Sequence, residues 1–324
     1  MKTKIVYCLV SSQTDYFWEQ TYLSVYTVRL YNKDSFISLV VDKTTADGLT
    51  GVRAKLIDSV NEYIQVETPD GYSSVCKSRY LKTNLRELIK GDYLYLDSDT
   101  IVCDSLSDID FVKDDIAMVS DLNDTLLLTD VNTLYKYKMA GFGDGTGLPY
   151  FNSGVIYAKD NDVAHTFYKR WYENLTKSFS NEVFYDQPAL CATNVQLNFV
   201  IKELRGIWNC QFKMKGYPFL KRAKIMHYYS NNGIKSDSAF VLTDLIFQRI
   251  RIYGDIDDLI ANLARNAKRK MYAIMTLQEE QLLAYNSSNL LYTYTNRPRL
   301  YKLAEKIIVL IEKYCMFHEI HSFA

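Results

Sequence analysis

Two carboxylates one residue apart, Asp97 and Asp99, close the run Tyr93-Leu94-Tyr95-Leu96-Asp97-Ser98-Asp99. The apolar, aromatic-rich half of that run reads as a strand. At its end the two acids can turn toward one point. Two hard oxygen ligands suit Mg²⁺ or Mn²⁺, ions commonly held by one or two carboxylates plus the phosphates of a substrate. The pair therefore predicts a metal site for a phosphate-bearing donor; a solvated acidic turn is the plainer reading of the same residues.

The elements around the pair are legible from periodicity. Apolar runs at 5–10, 36–41, 63–66, 93–96, 116–121 and 151–157 predict strands. Residues 16–31, 52–60, 78–89 and 163–175 predict helices. Strands with near-continuous apolar character alternating with helices predict an α/β fold with a mostly parallel sheet flanked by helices. Ligands of such sheets bind outside the carboxyl ends of the strands, where Asp97 and Asp99 stand. The glycine-rich stretch Gly141-Phe142-Gly143-Asp144-Gly145-Thr146-Gly147 is followed by Pro149 and a strand, so it reads as a loop and not as a dinucleotide fingerprint.

Composition narrows the class. Lys plus Arg and Asp plus Glu both number 38 in 324 residues, a balance that gives no basic footprint for nucleic acid. Cys8, Cys76, Cys103, Cys191, Cys210 and Cys315 are scattered without a Cys-x-x-Cys pair. They read as buried free thiols of a reducing, cytoplasmic compartment. No run reaches the length of a spanning helix, and the start of the chain has no signal-peptide pattern. From about residue 240 the alternation gives way to helical patterns with Arg249, Arg251, Lys268, Arg269 and Lys270. Leu300, Leu303, Ile307, Leu310, Ile311 and Tyr314 predict a last amphipathic helix. Two parts follow: 1–240, which carries the chemistry, and 241–324, a helical subdomain that could face an acceptor or a membrane surface.

Several short motifs in chain order resemble family 8 of the glycosyltransferases, retaining enzymes of GT-A fold. They are strand 5–10, the helix with Arg79, Tyr95-Leu96-Asp97-Ser98-Asp99-Thr100, Tyr150-Phe151-Asn152-Ser153-Gly154-Val155, Asp186-Gln187-Pro188-Ala189-Leu190, Trp208-Asn209 and Met226-His227-Tyr228-Tyr229. The resemblance implies that Asp97, Asp99 and His227 hold Mn²⁺, with Mg²⁺ as the alternative. It implies a UDP-sugar donor of galactose or glucose and a glycan or glycolipid acceptor, which the basic clusters and apolar face of 241–324 could hold near the inner membrane leaflet. Arg79, Ser98, Asn152, Ser153 and Asp186 would contact the donor. Gln187 would sit near the anomeric carbon, so that Gln187 or Asp186 is the candidate nucleophile of a double displacement, against an internal return that needs none. The backbone at Val10, Ser11 and Ser12, with Asp42, would flank the base.

The chain departs from the family after the histidine. Ser230 and Gly233 stand where Gly and Lys are usual, and Lys235 comes two places late, so Gly233 and Lys235 are the expected substitutes on the phosphates. Asp186 has the additional reading of a helix N-cap, and Trp208-Asn209 reads as structural. Two other functions compete. A non-catalytic sugar-binding protein would keep the fold. A sugar-phosphate nucleotidyltransferase would need a glycine-rich basic loop after the first strand, where Ser11-Ser12-Gln13 stands.

Overall fold

The computed structural model describes residues 1–229 and 241–272, together with Lys306. The chain divides into two compact units, Met1–Met271 and Tyr272–Ala324. The predicted helix near 300–314, Cys315 and the segment holding Gly233 and Lys235 lie outside the described residues.

Among the described residues, nine strands form two sheets: β1 (Lys4–Leu9), β2 (Ile37–Asp42), β3 (Glu62–Val66), β4 (Tyr93–Leu96), β5 (Thr100–Val102), β6 (Ile116–Ser120), β7 (Phe151–Ala158), β8 (Ile201–Glu203) and β9 (Ile225–His227). The larger has the order β3-β2-β1-β4-β7-β6-β8, and β5 pairs with β9. β1 to β4 run parallel. β7 is antiparallel to both β4 and β6, and β8 is parallel to β6. Every residue of β2, β4, β6 and β7 is buried, as expected for strands covered on both faces. This is the predicted mostly parallel sheet, with one reversed strand.

The core between the sheet and the helices Ser74–Thr83 and Asp162–Ser180 is filled by Val6, Val40, Leu81, Tyr93, Ile156, Phe167 and Trp171. Five cysteines, from Cys8 to Cys210, are buried and free as predicted. Two helical readings are redrawn. Residues 52–60 form only a 3₁₀ turn and one α-turn, Gly51–Ala54 and Lys55–Asp58. The helix expected at 78–89 starts earlier, at an N-cap where the Ser73 hydroxyl accepts from Cys76 N–H, and it breaks at Asn84 before a short turn Leu85–Leu88. Ser73 is a favoured N-cap residue that apolar spacing alone does not reveal.

No helix among the described residues is long and apolar enough to cross a membrane. The helices Asp244–Tyr253 and Asp258–Arg265 follow the helical expectation for the region after 240. The first is tied to the helix Phe17–Tyr31 by Arg251, whose Nε donates to the buried Glu19 carboxylate at 2.5 Å.

Candidate active site

The strand order places β1 between β2 and β4, so the connections leave in opposite directions and a crevice opens at the carboxyl ends of β1 and β4. Asp97-Ser98-Asp99 is the turn that leaves β4 at this crevice and enters β5. Asp97 N–H donates to Gly154 O at 2.8 Å, and Tyr228 N–H donates to Asp99 O at 2.9 Å. The second bond continues the β5–β9 ladder, in which Thr100 faces His227. That small ladder carries a histidine distant in sequence to the two acids. Ligand atoms of Asp97, Asp99 and His227 lie within 4.8 Å of one another.

The histidine is oriented for coordination. Its Nδ1 lies 3.0 Å from Asn209 Oδ1, and its Nε2 lies 3.2 Å from Asp99 Oδ1. Donation of the Nδ1 proton to Asn209 points the Nε2 lone pair at the acids, the arrangement of a metal-binding imidazole. Burial alone would lower the His227 pKa, but the facing Asp99, with Asp97 behind it, outweighs burial and raises it. Gly154 makes room for the ring: a Cβ there would sit 2.3 Å from His227 Cε1 and 2.9 Å from Nδ1. Two carboxylates, an oriented imidazole and a space cleared for it fit Mn²⁺ or Mg²⁺.

A cavity of about 530 Å³ opens over these groups. Of the residues expected on the donor, Val10, Arg79, Ser98, Asn152, Ser153, Asp186 and Gln187 line it with the three candidate ligands. Ser11, Ser12 and Asp42 are not among its walls. Their polar groups are engaged elsewhere: Ser11 N–H donates to Thr45 Oγ1 at 2.9 Å, Ser12 N–H to Asp15 Oδ2 at 2.6 Å, and Arg53 reaches both serines. Asp42 caps the helix Lys43–Gly48 by accepting from Thr45 N–H, and it takes the Lys77 ammonium at 3.0 Å.

Asp186 is the first residue of the helix Asp186–Gln196, and Tyr185 occupies the N-cap position. Its carboxylate therefore turns into the cavity floor and away from the capping role. Oδ2 takes Lys82 Nζ at 3.1 Å and Ser153 Oγ at 2.9 Å, and Oδ1 lies 3.7 Å from Arg79 Nε. Burial would raise the Asp186 pKa, but the Lys82 and Arg79 charges with these hydrogen bonds hold it well below the usual carboxylate range. Gln187 Nε2 donates to Phe151 O at 3.2 Å.

The Asn152 side chain sits inside the protein's own network. Its Oδ1 accepts from Gly154 N–H at 3.0 Å and Asn209 Nδ2 at 2.8 Å, and its Nδ2 donates to Asp121 Oδ1 at 3.0 Å and to Tyr229 Oη. A register shift between β6 and β7 follows the same residues, so the bulge and the polar role coincide.

Three further residues belong to the site. Lys82, buried, bridges Asp186 and Asp97 Oδ1 at 3.0 Å and donates to Ser153 O at 3.2 Å. Spacing offers one signal, since Lys82 lies three residues after Arg79 on one helix face. Tyr95 Oη donates to Asp97 Oδ1 at 2.5 Å, so the strand's alternation places it beneath the acid. Asn209, read as structural, holds the histidine tautomer. Its pairing with His227 across the fold leaves no trace in local pattern.

No family model matches the sequence, and no curated protein matches it. Solved structures do. GlyE of Streptococcus pneumoniae TIGR4, a glycosyltransferase, aligns with a TM-score of 0.50 at 16% identity over 82% of this chain and 63% of that one. Mouse xyloside xylosyltransferase 1 aligns at 0.49 and 12% identity over 72% and 100% of the two chains. An active-site variant of LgtC aligns at 0.47 and 16% over 70% and 88%. At such identity the likeness to GlyE is one of fold, and the fold is of GT-A type.

Proposed function

We propose that the chain is a metal-dependent retaining glycosyltransferase similar to family 8, moving a hexose, galactose or glucose, from a UDP-sugar to a hydroxyl of a glycan or glycolipid. The observation that carries this reading is the convergence of Asp97, Asp99 and His227 with Arg79, Lys82, Asp186 and Gln187 around one cavity. Bound at the first three, Mn²⁺ or Mg²⁺ would neutralise charge on a diphosphate leaving group.

The protein's own groups divide the remaining work. The Asp186 carboxylate, kept ionised by Lys82 and Arg79, accepts hydrogen bonds from donor hydroxyls. The Arg79 side chain, partly exposed in the cavity wall, offers its guanidinium to the donor. Gln187 lies next to Asp186 on the acceptor side. A carboxylate already paired with an ammonium and a hydroxyl is a weak nucleophile, which favours internal return over double displacement. In that route the bond from anomeric carbon to phosphate oxygen breaks, the acceptor oxygen bonds to the same face, and the acceptor proton passes to the departing phosphate. Residues 1–240 would carry this chemistry and residues 241–324 would face the acceptor or the inner membrane leaflet.

A nucleotidyltransferase is disfavoured because the loop after β1 spends the Ser11 and Ser12 amides on Thr45 and Asp15 and cannot cradle a triphosphate. A UDP-sugar panel with Mn²⁺ tests the enzyme. Donor hydrolysis is expected and should fall at least about 100-fold, the loss of a principal electrostatic contact to the leaving group, in Asp97→Ala and Asp99→Ala. Undiminished turnover in either variant would remove the metal assignment. A complete lack of hydrolysis with all donors would favour a non-catalytic sugar-binding protein.

A further inference from the structure

Two asparagines link the candidate metal histidine to the cavity wall, and every hydrogen-bonding position of the first is filled. A side-chain amide offers two lone pairs and two protons. Asn152 Oδ1 accepts from Gly154 N–H at 3.0 Å and from Asn209 Nδ2 at 2.8 Å. Its Nδ2 donates to Asp121 Oδ1 at 3.0 Å and to Tyr229 Oη. Asn152 borders the cavity, yet its amide has nothing left for a sugar hydroxyl.

The direction of each bond follows from groups that have no choice. A backbone N–H only donates and a carboxylate only accepts, so Gly154 and Asp121 fix which end of the Asn152 amide is oxygen. Tyr229 agrees with them: its hydroxyl donates to Asp121 Oδ1 at 2.8 Å and keeps a lone pair for the amide. With the Asn152 oxygen so placed, Asn209 must turn its NH₂ toward it. The Asn209 oxygen is then left for His227 Nδ1, 3.0 Å away. Asn152, Asn209 and His227 are all buried, so protein groups and not solvent impose this order. Tyr229 closes the circuit from the other side. It has φ 52°, a left-handed backbone uncommon outside glycine, and its ring centre lies 4.7 Å from that of the imidazole.

We propose that Asn152 is a positioning residue of the metal site, acting through Asn209 on the His227 tautomer, and not a contact to the donor sugar. The inference rests on the metal assignment of Asp97, Asp99 and His227. Turned over, the Asn152 amide would turn Asn209 over with it, and an NH₂ would face Nδ1. The imidazole would then hold its proton on Nε2, the atom 3.2 Å from Asp99 Oδ1 that must be bare to take a cation.

Mn²⁺ is titrated calorimetrically into the folded chain, with and without UDP. Asn152→Ala should weaken its binding about 10- to 100-fold, the scale of a lost partner behind a metal ligand. Asn209→Asp supplies the rescue, because a carboxylate accepts from Nδ1–H whichever way it is turned. In that background Asn152→Ala should cost less than about twofold, as for uncoupled sites. At saturating Mn²⁺ the preference for UDP-galactose or UDP-glucose over UDP should be the same in Asn152→Ala as in the parent. If the alanine variant does not fold, Asn152→Leu, which refills the volume, is read in the same two backgrounds. A reduced sugar preference with unchanged Mn²⁺ affinity would make Asn152 a donor contact and overturn the proposal. Equal losses of Mn²⁺ affinity in the two backgrounds would overturn it as well, by removing Asn209 from the route. A parent chain that takes no Mn²⁺, with or without UDP, defeats the metal assignment and this inference with it. A chain that binds Mn²⁺ but hydrolyses no donor loses the enzymatic reading alone, and the Mn²⁺ titrations still decide the role of Asn152.

Discussion

Gly154 shows how much one missing carbon can decide. Its neighbours were chosen by chemistry, but its own identity is set by the His227 ring, which occupies the space of a Cβ. Gly154→Ala should push the imidazole off its line to Asp99. We expect the Mn²⁺ affinity of the folded protein to drop about 10- to 100-fold by calorimetry, the scale of a lost supporting contact, with an unchanged circular dichroism spectrum. An unchanged affinity would mean that the ring has another seat. Asp186 carries a pH signature at the same scale. Its folded pKa lies below the ordinary carboxylate value, so its contribution to stability is present above that value and is lost as pH falls through the depressed one. Asp186→Asn should be less stable than the parent at pH 7, and denaturant titrations at falling pH should see the gap narrow below about pH 4. A gap that widens in acid would contradict the ionised assignment. Asp97 and Asp99 stand out as candidates by type and spacing, His227 and Asp186 only through the motifs that resemble the family. Lys82 and Asn209 stand out by neither. A lysine on a helix reads as a solvated charge, and an asparagine after a tryptophan reads as a turn, until packing across the sheet supplies their partners.

Elements meet at Lys82. The helix Ser74–Thr83 delivers the ammonium, β4 delivers Asp97 from its end, and the helix Asp186–Gln196 delivers Asp186 from its start. Lys82→Met keeps the stem and removes the charge, leaving two carboxylates without their shared counterion. Removing one partner of a buried ion pair costs about 3–5 kcal/mol, and a loss of that order in chemical denaturation is expected. Lys82→Met combined with Asp186→Asn should recover part of it, whereas purely additive losses would argue against coupling. Element types were largely legible because buried strands read as apolar runs. Boundaries were not, since the caps at Ser73 and Asp42 and the break at Asn84 depend on single polar residues. The extended pattern of Thr100-Ile101-Val102 is legible as β5, whereas the three-residue β9 is too short to show a period of two, yet its pairing with β5 brings His227 to the acids.

For the whole molecule, the site should report its ligands through global stability. A nucleotide-sugar that binds only the folded chain adds about 2.7 kcal/mol at a hundredfold excess over its Kd. In a thermal-shift panel, the correct UDP-sugar should raise Tm by several degrees with Mn²⁺ and far less with EDTA. An equal rise with and without metal would separate donor binding from Asp97, Asp99 and His227. The fold class was legible from strand–helix alternation, whereas the reversal of β7 was not, because a buried strand looks the same in sequence whichever way it runs.

That reversal has a consequence for how such a chain can diverge. β7 enters the sheet at the crevice and leaves at the far side, so Asn152, Ser153 and Gly154 are its opening residues, held in register by β4 through Leu96 and Val155. From the segment 121–150 that leads into it, Asp121, Leu122, Thr133, Lys136 and Tyr150 line the same cavity. Asp121, which accepts from the Asn152 amide, ties the start of that segment to the floor, so insertions are expected to be tolerated only after it, while β4 keeps Asn152, Ser153 and Gly154 in register. The mouth and the floor of the crevice are thus adjacent in sequence but set by different neighbours, the floor by pairing with β4.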